Sequence, residues 1–330
     1  MTLHSLPITH YPLQRCKRCK RCKRCFTALM LFITLTALLS FQAVAASFIS
    51  VDNETGYILE AKNSDDKVPV ASLTQVALAI TLLDWIQVSK HNLDAVVEVP
   101  PNAPPQGSSN PVGLQSGDRL TLRDLLYLSL LASDAEASIT IANAVGRELP
   151  NEHRLDPVST FVSQMNALAA GLEMKHTLFL NPSGLDMPQG SAQPYSSAAD
   201  LARLTRYGYS KPGFAFYASQ KSRDIHFERQ GQSMGVKIEN TNKLLGVDDI
   251  DGVKTGHAQR AGDCIILTSE HKPEVKRVGD IVYTTPRRII TVLLNSPNFF
   301  STGLELQHRG WSFYNDWAAQ GRSLKAGKFL

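Results

Sequence analysis

The stretch "VPVASLTQVALAI", residues 68–80, decides the fold prediction because a serine, Ser72, stands where a long apolar run begins. Apolar side chains then recur at three- and four-residue steps, which predicts a helix over "ASLTQVALAITLLDWIQVSK". The unbroken apolar run from Val76 to Ala79 predicts that this helix is buried nearly all round. Ser72 is then either an ordinary helix N-cap or a nucleophile presented at the helix start.

The first 45 residues have the pattern of a secretory signal peptide. Seven Lys and Arg side chains and no acid precede the apolar segment "FTALMLFITLTALLSFQAVAA", which ends in an Ala-x-Ala cleavage site at 43–45. The alternative is an uncleaved membrane anchor, because no charged residue lies between Phe26 and Val51. Either way the sequence predicts an exported protein, periplasmic or otherwise extracytoplasmic.

Four of the five cysteines lie in this leader, at every third position: Cys16, Cys19, Cys22 and Cys25. Lys or Arg at every intervening position would repel a cation, so we expect no metal site there. Cys264, in the apolar run "CIILTS", is predicted to be a small core residue without a disulfide partner. The nine histidines show no metal-ligand spacing, and we predict neither a metal nor a cofactor.

The charge of the remaining chain excludes a nucleic-acid-binding class. Beyond residue 45, 27 Lys and Arg face 30 Asp and Glu, which leaves a net charge of −3 and no basic footprint. We predict one domain over residues 46–320 and a short tail over 321–330.

Strand patterns cluster at the two ends of this domain and helical patterns in its middle. "SFISVDNETGYILEAKNSDDK" predicts two strands and a turn, and "GDCIILTS" and "RRIITVLLNSP" predict strands near the other end. "LFLNPSGLD" predicts a turn-bounded strand, and "EHKPEVKRVGDIVYTTP" an extended hairpin or a loop. The arrangement indicates an α/β (α+β) unit whose antiparallel sheet is assembled from both chain ends around a helical cluster.

Three short clusters suggest acyl-serine chemistry. Penicillin-recognising serine enzymes carry Ser-x-x-Lys, Ser-x-Asn and Lys-Thr-Gly. A lysine one helical turn after the serine can remove the serine's proton, and the last cluster binds a carboxylate along a strand. This chain has Lys254, Thr255 and Gly256 intact, but Gln75 replaces the lysine after Ser72 and Ala135 replaces the asparagine after Ser133.

Several longer phrases extend the pattern: "VPVASLTQ", "LQSGDRLTLRDLLYLSLLASDAEA", "NPSGLD", "SSAADLARL", "NTNKLL" and "DGVKTGHAQRAGDC". The order and spacing of these phrases, from about Ser47 to about Trp317, resemble those of the D-alanyl-D-alanine carboxypeptidases. These are the low-molecular-mass penicillin-binding proteins of bacterial envelopes. The resemblance implies the penicillin-binding-protein/β-lactamase-like transpeptidase fold. It also implies peptidoglycan stem peptides, and β-lactams, as ligands.

The same resemblance assigns roles position by position. Ser72 would be the acylated nucleophile and Ser133 the second serine, and Lys254, Thr255 and Gly256 would hold the terminal carboxylate. The backbone N–H groups of Ser72 and His257 would form the oxyanion hole.

The departures at Gln75 and Ala135 predict lost or impaired catalysis, because glutamine has no basic lone pair. We therefore expect a degenerate relative that holds peptidoglycan, or a partner enzyme of the cell wall, in the same groove. Two alternatives remain. One is an active carboxypeptidase or endopeptidase in which Lys254, Asp134 or Glu136 substitutes for the missing base. The other is a structural envelope protein with an unused cleft.

Overall fold

The computed structural model describes residues 46–101, 108–323 and 328–330. The predicted signal peptide and its four cysteines lie outside these residues. The strands are, in chain order, β1 (Ser47–Asp52), β2 (Ile58–Lys62), β3 (Val96–Glu98), β4 (Arg119–Thr121), β5 (Ser222–Arg229), β6 (Gln232–Glu239), β7 (Ile250–Ala258), β8 (Gly262–Val278) and β9 (Ile281–Leu294).

Most of the helices lie between β4 and β5 in the chain. They are α1 (Thr74–Val88), α2 (Leu122–Ala132), α3 (Ala135–Gly146), α4 (Pro157–Gly171), α5 (Ala198–Tyr209), α6 (Phe214–Ala218) and α7 (Phe299–Ala319), with a short 3-10 helix, Ala71–Leu73, directly before α1.

The main sheet confirms that the two chain ends build one antiparallel layer. Its strand order is β2-β1-β9-β8-β7, so the first strand of the domain pairs with the last along Ser47–Asp52 and Ile289–Leu294. The alternation of buried Ile49 and Val51 places one face of β1 against the helices. Cys264 is fully buried on β8, as the sequence predicts.

Helix α1 runs through the centre of the helical cluster. Every residue from Thr74 to Leu83 is buried, which explains why its sequence shows no polar face. The 18 residues from Ala71 to Val88 are apolar and long enough to span a membrane, but two thirds of them are buried inside the domain. Because the helix is the core of the fold, its hydropathy is accounted for by packing.

Two regions differ from the sequence predictions. The segment "LFLNPSGLD" is not a strand: Leu178 forms a single bridge to Tyr195, and the Asn181 side chain then caps a turn by accepting from three backbone N–H groups. A second, four-stranded sheet, β3-β4-β5-β6, was not expected. Its strand β5 buries Ile225 and Phe227 between charged neighbours, so the alternating pattern was present but obscured.

The charged insertion forms a hairpin, one of the two forms that the sequence allowed. Strands β8 and β9 stay paired from Ile265↔Leu293 to Val278↔Ile281, with a bulge between His271 and Glu274.

The last residues of the chain lie beside β2, the edge strand of the main sheet. The N–H of Ile58 donates to the carbonyl of Lys328, and Phe329 packs edge-on against Tyr57.

Candidate functional site

Ser72 lies in the 3-10 helix that leads into α1, with β7 packed against it. An added Cβ on Gly256 would stand 3.1 Å from the Val70 carbonyl oxygen and 3.2 Å from the Ser72 nitrogen. Glycine therefore lets the strand lie directly against the start of the helix. Among the described residues the Ser72 side chain makes no capping hydrogen bond, so the N-cap interpretation of this serine is wrong.

The backbone around Ser72 is held in an uncommon conformation. Ala71 has φ +48°, a left-handed value that costs an alanine about 1 kcal/mol. Gly184, in the turn after Asn181, has φ +79°, and a Cβ there would fall 1.9 Å from the Ala71 carbonyl oxygen. The turn thus supports the peptide group that precedes Ser72, which explains why a glycine is needed in "NPSGLD".

Gln75 is fully buried one turn after Ser72, but its amide is directed toward α3. Nε2 donates to the Ser138 hydroxyl at 2.9 Å and to the Asp134 carbonyl at 3.3 Å. Within the described part of the chain, Oε1 is buried and has no hydrogen-bond partner. No described hydrogen bond joins this amide to the Ser72 hydroxyl.

Ser138 explains where the amide of Gln75 is held. Its hydroxyl donates to the Asp134 carbonyl at 2.8 Å, and it lies 2.9 Å from the Ser129 hydroxyl. Both serines are fully buried. The sequence does not reveal this pair, because nothing in the local pattern shows that the Ser138 hydroxyl faces position 75 or that Ser129 lies beside it.

Ser133 and Lys254 form a direct contact across the interface between the helices and the sheet. Ser133 ends α2 in a left-handed conformation, φ +57°, which places it at the break before α3. The Lys254 Nζ contacts the Ser133 hydroxyl and donates to the Thr255 carbonyl at 3.0 Å. Lys254 is fully buried, and this burial lowers the pKa of its amine to about 7.

Because its pKa lies near neutrality, a substantial fraction of the Lys254 amine is unprotonated at pH 7 and above. An unprotonated amine beside a hydroxyl can accept its proton, as a general base does. The Lys254 amine thus lies against the Ser133 hydroxyl, and no described hydrogen bond joins a basic side chain to the Ser72 hydroxyl.

The residues after Ser133 are more deeply buried than the sequence suggests. Asp134 is fully buried; its Oδ1 accepts from the Ala137 N–H at 2.9 Å, and burial raises its pKa to about 6. Glu136 is also buried, with only 2% of the residue exposed. Burial and the neighbouring Asp134 raise the Glu136 pKa to about 7.

Ala135 occupies the position where the motif has an asparagine. It is buried, and its N–H donates to the Ser109 carbonyl at 2.7 Å, which ties the helix start to the preceding loop. Asp134 Oδ2 and Glu136 Oε1 are buried without a hydrogen-bond partner among the described residues. The site thus contains buried acceptors that no described donor satisfies.

Thr255, the remaining motif residue, and its neighbour His257 have different surroundings on β7. Thr255 is buried and its hydroxyl donates to Thr241 at 2.7 Å, a contact that the phrase "NTNKLL" could have suggested. The side chain of His257 is 78% exposed and its Nδ1 lies 2.6 Å from Asp263. The structure therefore brings Ser72 and Gly256 together, and Lys254 and Ser133 together, while the His257 ring points away from the core.

Comparison with known proteins agrees with this fold. A sequence-family model described as D-alanyl-D-alanine carboxypeptidase matches residues 35–284. A D-alanyl-D-alanine endopeptidase of Pseudomonas aeruginosa is 28% identical over 229 residues, which is 68% of this chain and 67% of the relative. D-alanyl-D-alanine carboxypeptidase DacB2 of Mycobacterium tuberculosis is 33% identical over 217 residues, 66% of this chain and 67% of the relative.

A third relative, carboxypeptidase DacF of Bacillus subtilis, is 27% identical over 74% of this chain and 58% of its own length. The chain thus spans between just over half and two thirds of these relatives. Among solved structures, penicillin-binding protein D2 of Listeria monocytogenes in its cefotaxime-bound form aligns with a TM-score of 0.63 and 25% identity, over 80% of this chain and 96% of that one. The Streptomyces K15 DD-transpeptidase aligns with a TM-score of 0.65 and 24% identity, over 80% and 96%.

Proposed function

Because the chain belongs to the D-alanyl-D-alanine carboxypeptidase family, we propose that it recognises the D-Ala-D-Ala ends of peptidoglycan stem peptides with impaired acyl transfer at Ser72. The leader sequence would export it to the cell-wall compartment. It would hold the peptide without cleaving it, either for the wall itself or for a partner enzyme.

The observation that carries this proposal is the position of the Gln75 amide. An active serine needs a base that can take its proton, and an amide has none to offer. Here the amide N–H also donates to Ser138 and to the Asp134 carbonyl. Loss of a general base lowers the reaction rate by a factor of about 10²–10⁴, and by more where nucleophile and base act as a unit.

Binding does not require the missing groups to the same extent. Strand β7 keeps Lys254, Thr255 and Gly256 in sequence, and Gly256 keeps the strand against the Ser72 backbone. An extended peptide can add to such a strand through backbone hydrogen bonds, which supply affinity without chemistry. These features support a groove that retains recognition.

A second candidate function, an active carboxypeptidase or endopeptidase, is favoured by one contact. Lys254 Nζ contacts the Ser133 hydroxyl, and its pKa of about 7 suits proton transfer near neutral pH. If Ser133 in turn reached the Ser72 proton, Lys254 would replace the missing base.

One peptide distinguishes the two candidates. A pentapeptide ending in D-Ala-D-Ala is titrated into the purified protein by calorimetry, and release of D-alanine is followed on the same samples. The proposal predicts saturable binding without measurable release, and no binding of the peptide with an amidated C-terminus. Release that disappears in Ser72→Ala would establish the second candidate, and absence of binding would refute recognition.

A further inference from the structure

The hairpin of residues 270–286, here called the arm, extends beyond the rest of the main sheet. Strand β7 pairs with β8 only as far as Ser269, and β1 pairs with β9 only from Ile289 onward. Past these points β8 and β9 pair only with each other. In the described part of the chain, each strand of the arm therefore has one free edge with unpaired backbone groups.

The arm is unusually apolar for a segment so exposed. Val275, Val278, Ile281, Val282 and Tyr283 are each between 50% and 66% exposed. Cross-strand pairing puts Val278 and Ile281 opposite each other, and Val282 opposite Arg277. Apolar side chains therefore occur on both faces of the arm, and no described element covers them. Such a patch is typical of an interaction site.

The two free edges differ sharply in charge. The β8 strand carries Lys272, Lys276 and Arg277, none of them in an ion pair among the described residues, and is broken by a bulge beside Pro273. Lysine, proline and bulges are the features by which natural sheets block edge pairing. The β9 strand, over Ile281–Thr285, has five β-prone residues, "IVYTT", with no charge, no proline and no bulge. Pro286 interrupts the β9 edge only at the base of the arm, so residues 281–285 are left without such protection.

We propose that two copies of this chain associate through the arm, with the β9 edges of residues 281–285 paired antiparallel about a two-fold axis. The strand order across the joint sheet would be β8-β9-β9-β8. Neighbouring strands lie about 4.8 Å apart, so the two β8 strands would be separated by about 14 Å. That exceeds the Debye length of about 8 Å in physiological salt, so repulsion between their cations is screened.

The charge distribution argues for a second copy as the occupant. Pairing through β8 would instead bring two sets of three cations within about 5 Å of each other. An acidic partner or an anionic membrane would engage the cationic β8 edge rather than the uncharged one. An uncharged edge is complementary to itself, and a two-fold axis uses the same five residues from both copies.

The predicted association is weak, because an interface of five residues from each copy buries less surface area than a stable complex, which needs about 1,200 Å² in total. It should therefore depend on concentration. Sedimentation velocity of the purified full-length chain, from about 1 to about 300 μM, should show a monomer–dimer equilibrium.

Val275 and Thr284 provide a matched pair of variants, because they face each other across the arm, one on each edge. Thr284→Lys puts a charge on the β9 edge twice per dimer and should weaken association about tenfold. Val275→Lys puts the same charge at the same level on the β8 edge and should leave association unchanged. Circular dichroism melts check that both variants fold.

Each other outcome overturns the proposal. A natural chain that stays monomeric at the highest concentration excludes the second copy as occupant. Equal weakening by both variants, or weakening by Val275→Lys alone, excludes the β9 edge. None of these results bears on peptide recognition, which involves the opposite end of β7.

Discussion

Substituting Lys254 by methionine should change how the stability of the protein depends on pH. The Lys254 amine is fully buried and its pKa falls from 10.5 to about 7. Between those values the unfolded chain binds a proton that the folded chain does not. The free energy of unfolding must therefore rise as pH increases through this window, and be smallest below pH 7. Methionine, with nearly the same shape and no titrating group, removes this dependence.

The magnitude follows from the shift. Each pH unit inside the window contributes at most about 1.4 kcal/mol. Between pH 7.5 and 8.5 the natural chain should gain about 1 kcal/mol relative to Lys254→Met. Glu136 and Cys264, whose pKa values burial raises to about 7 and about 12, oppose this trend, but both are present in the natural chain and in Lys254→Met, so the comparison of the two proteins removes their contribution.

Urea titrations at pH 7.5, 8.0 and 8.5 measure the free energy of unfolding of both proteins. Equal pH slopes in the natural chain and Lys254→Met would refute the reasoning. That result would mean that the amine keeps an ordinary pKa and stays charged beside Ser133. It would then be unable to accept a proton, and the second candidate function would lose its base.

Three further predictions concern the residues around Ser72. Asp134→Asn keeps the helix cap but removes a buried carboxyl. Because burial raises the pKa of this carboxyl from 3.8 to about 6, ionising it destabilises the folded natural chain as pH rises above 3.8. Urea titration should therefore show the variant to be about 2–3 kcal/mol more stable at pH 7.5 and no more stable at pH 3.5. Gly184→Ala should lower the free energy of unfolding by more than about 2 kcal/mol, because the added Cβ would meet the Ala71 carbonyl oxygen. Gly190→Ala is the control: Gly190 also has a left-handed φ, +88°, but no atom lies within 4 Å of the added Cβ, so this variant should lose only about 1 kcal/mol. Gln75→Lys combined with Ala135→Asn should gain penicillin acylation, measured by mass; a folded but inert double variant would show that the site is misplaced.

Much of the site's framework could be predicted from sequence because it is local. The helix from Ser72 onward, the break at Ser133 and the strand before Gly256 each follow from short-range patterns, and the structure has all three. The two-ended sheet also followed from the order of strand and helix patterns.

The partners of the polar groups could not be predicted, because they lie far apart in sequence. Gln75 and Ser138 are 63 residues apart, and the Lys254 contact spans 121 residues. Whether Glu136 faces solvent depends on how the first turn of α3 packs, which a single exposed-looking carboxylate does not show. The depressed pKa of Lys254 likewise depends on its complete burial, which appears only once the helices cover β7.

The measurement that tests the central claim most directly is the intact mass of the purified protein after incubation with a penicillin, beside a Ser72→Ala control. The account predicts no adduct on a folded protein that still binds a D-Ala-D-Ala peptide, because Gln75 supplies no base and its amide N–H donates to Ser138 and to the Asp134 carbonyl. A stoichiometric adduct that is lost in the control would contradict it, and would show that another group, with Lys254 the first candidate, activates Ser72.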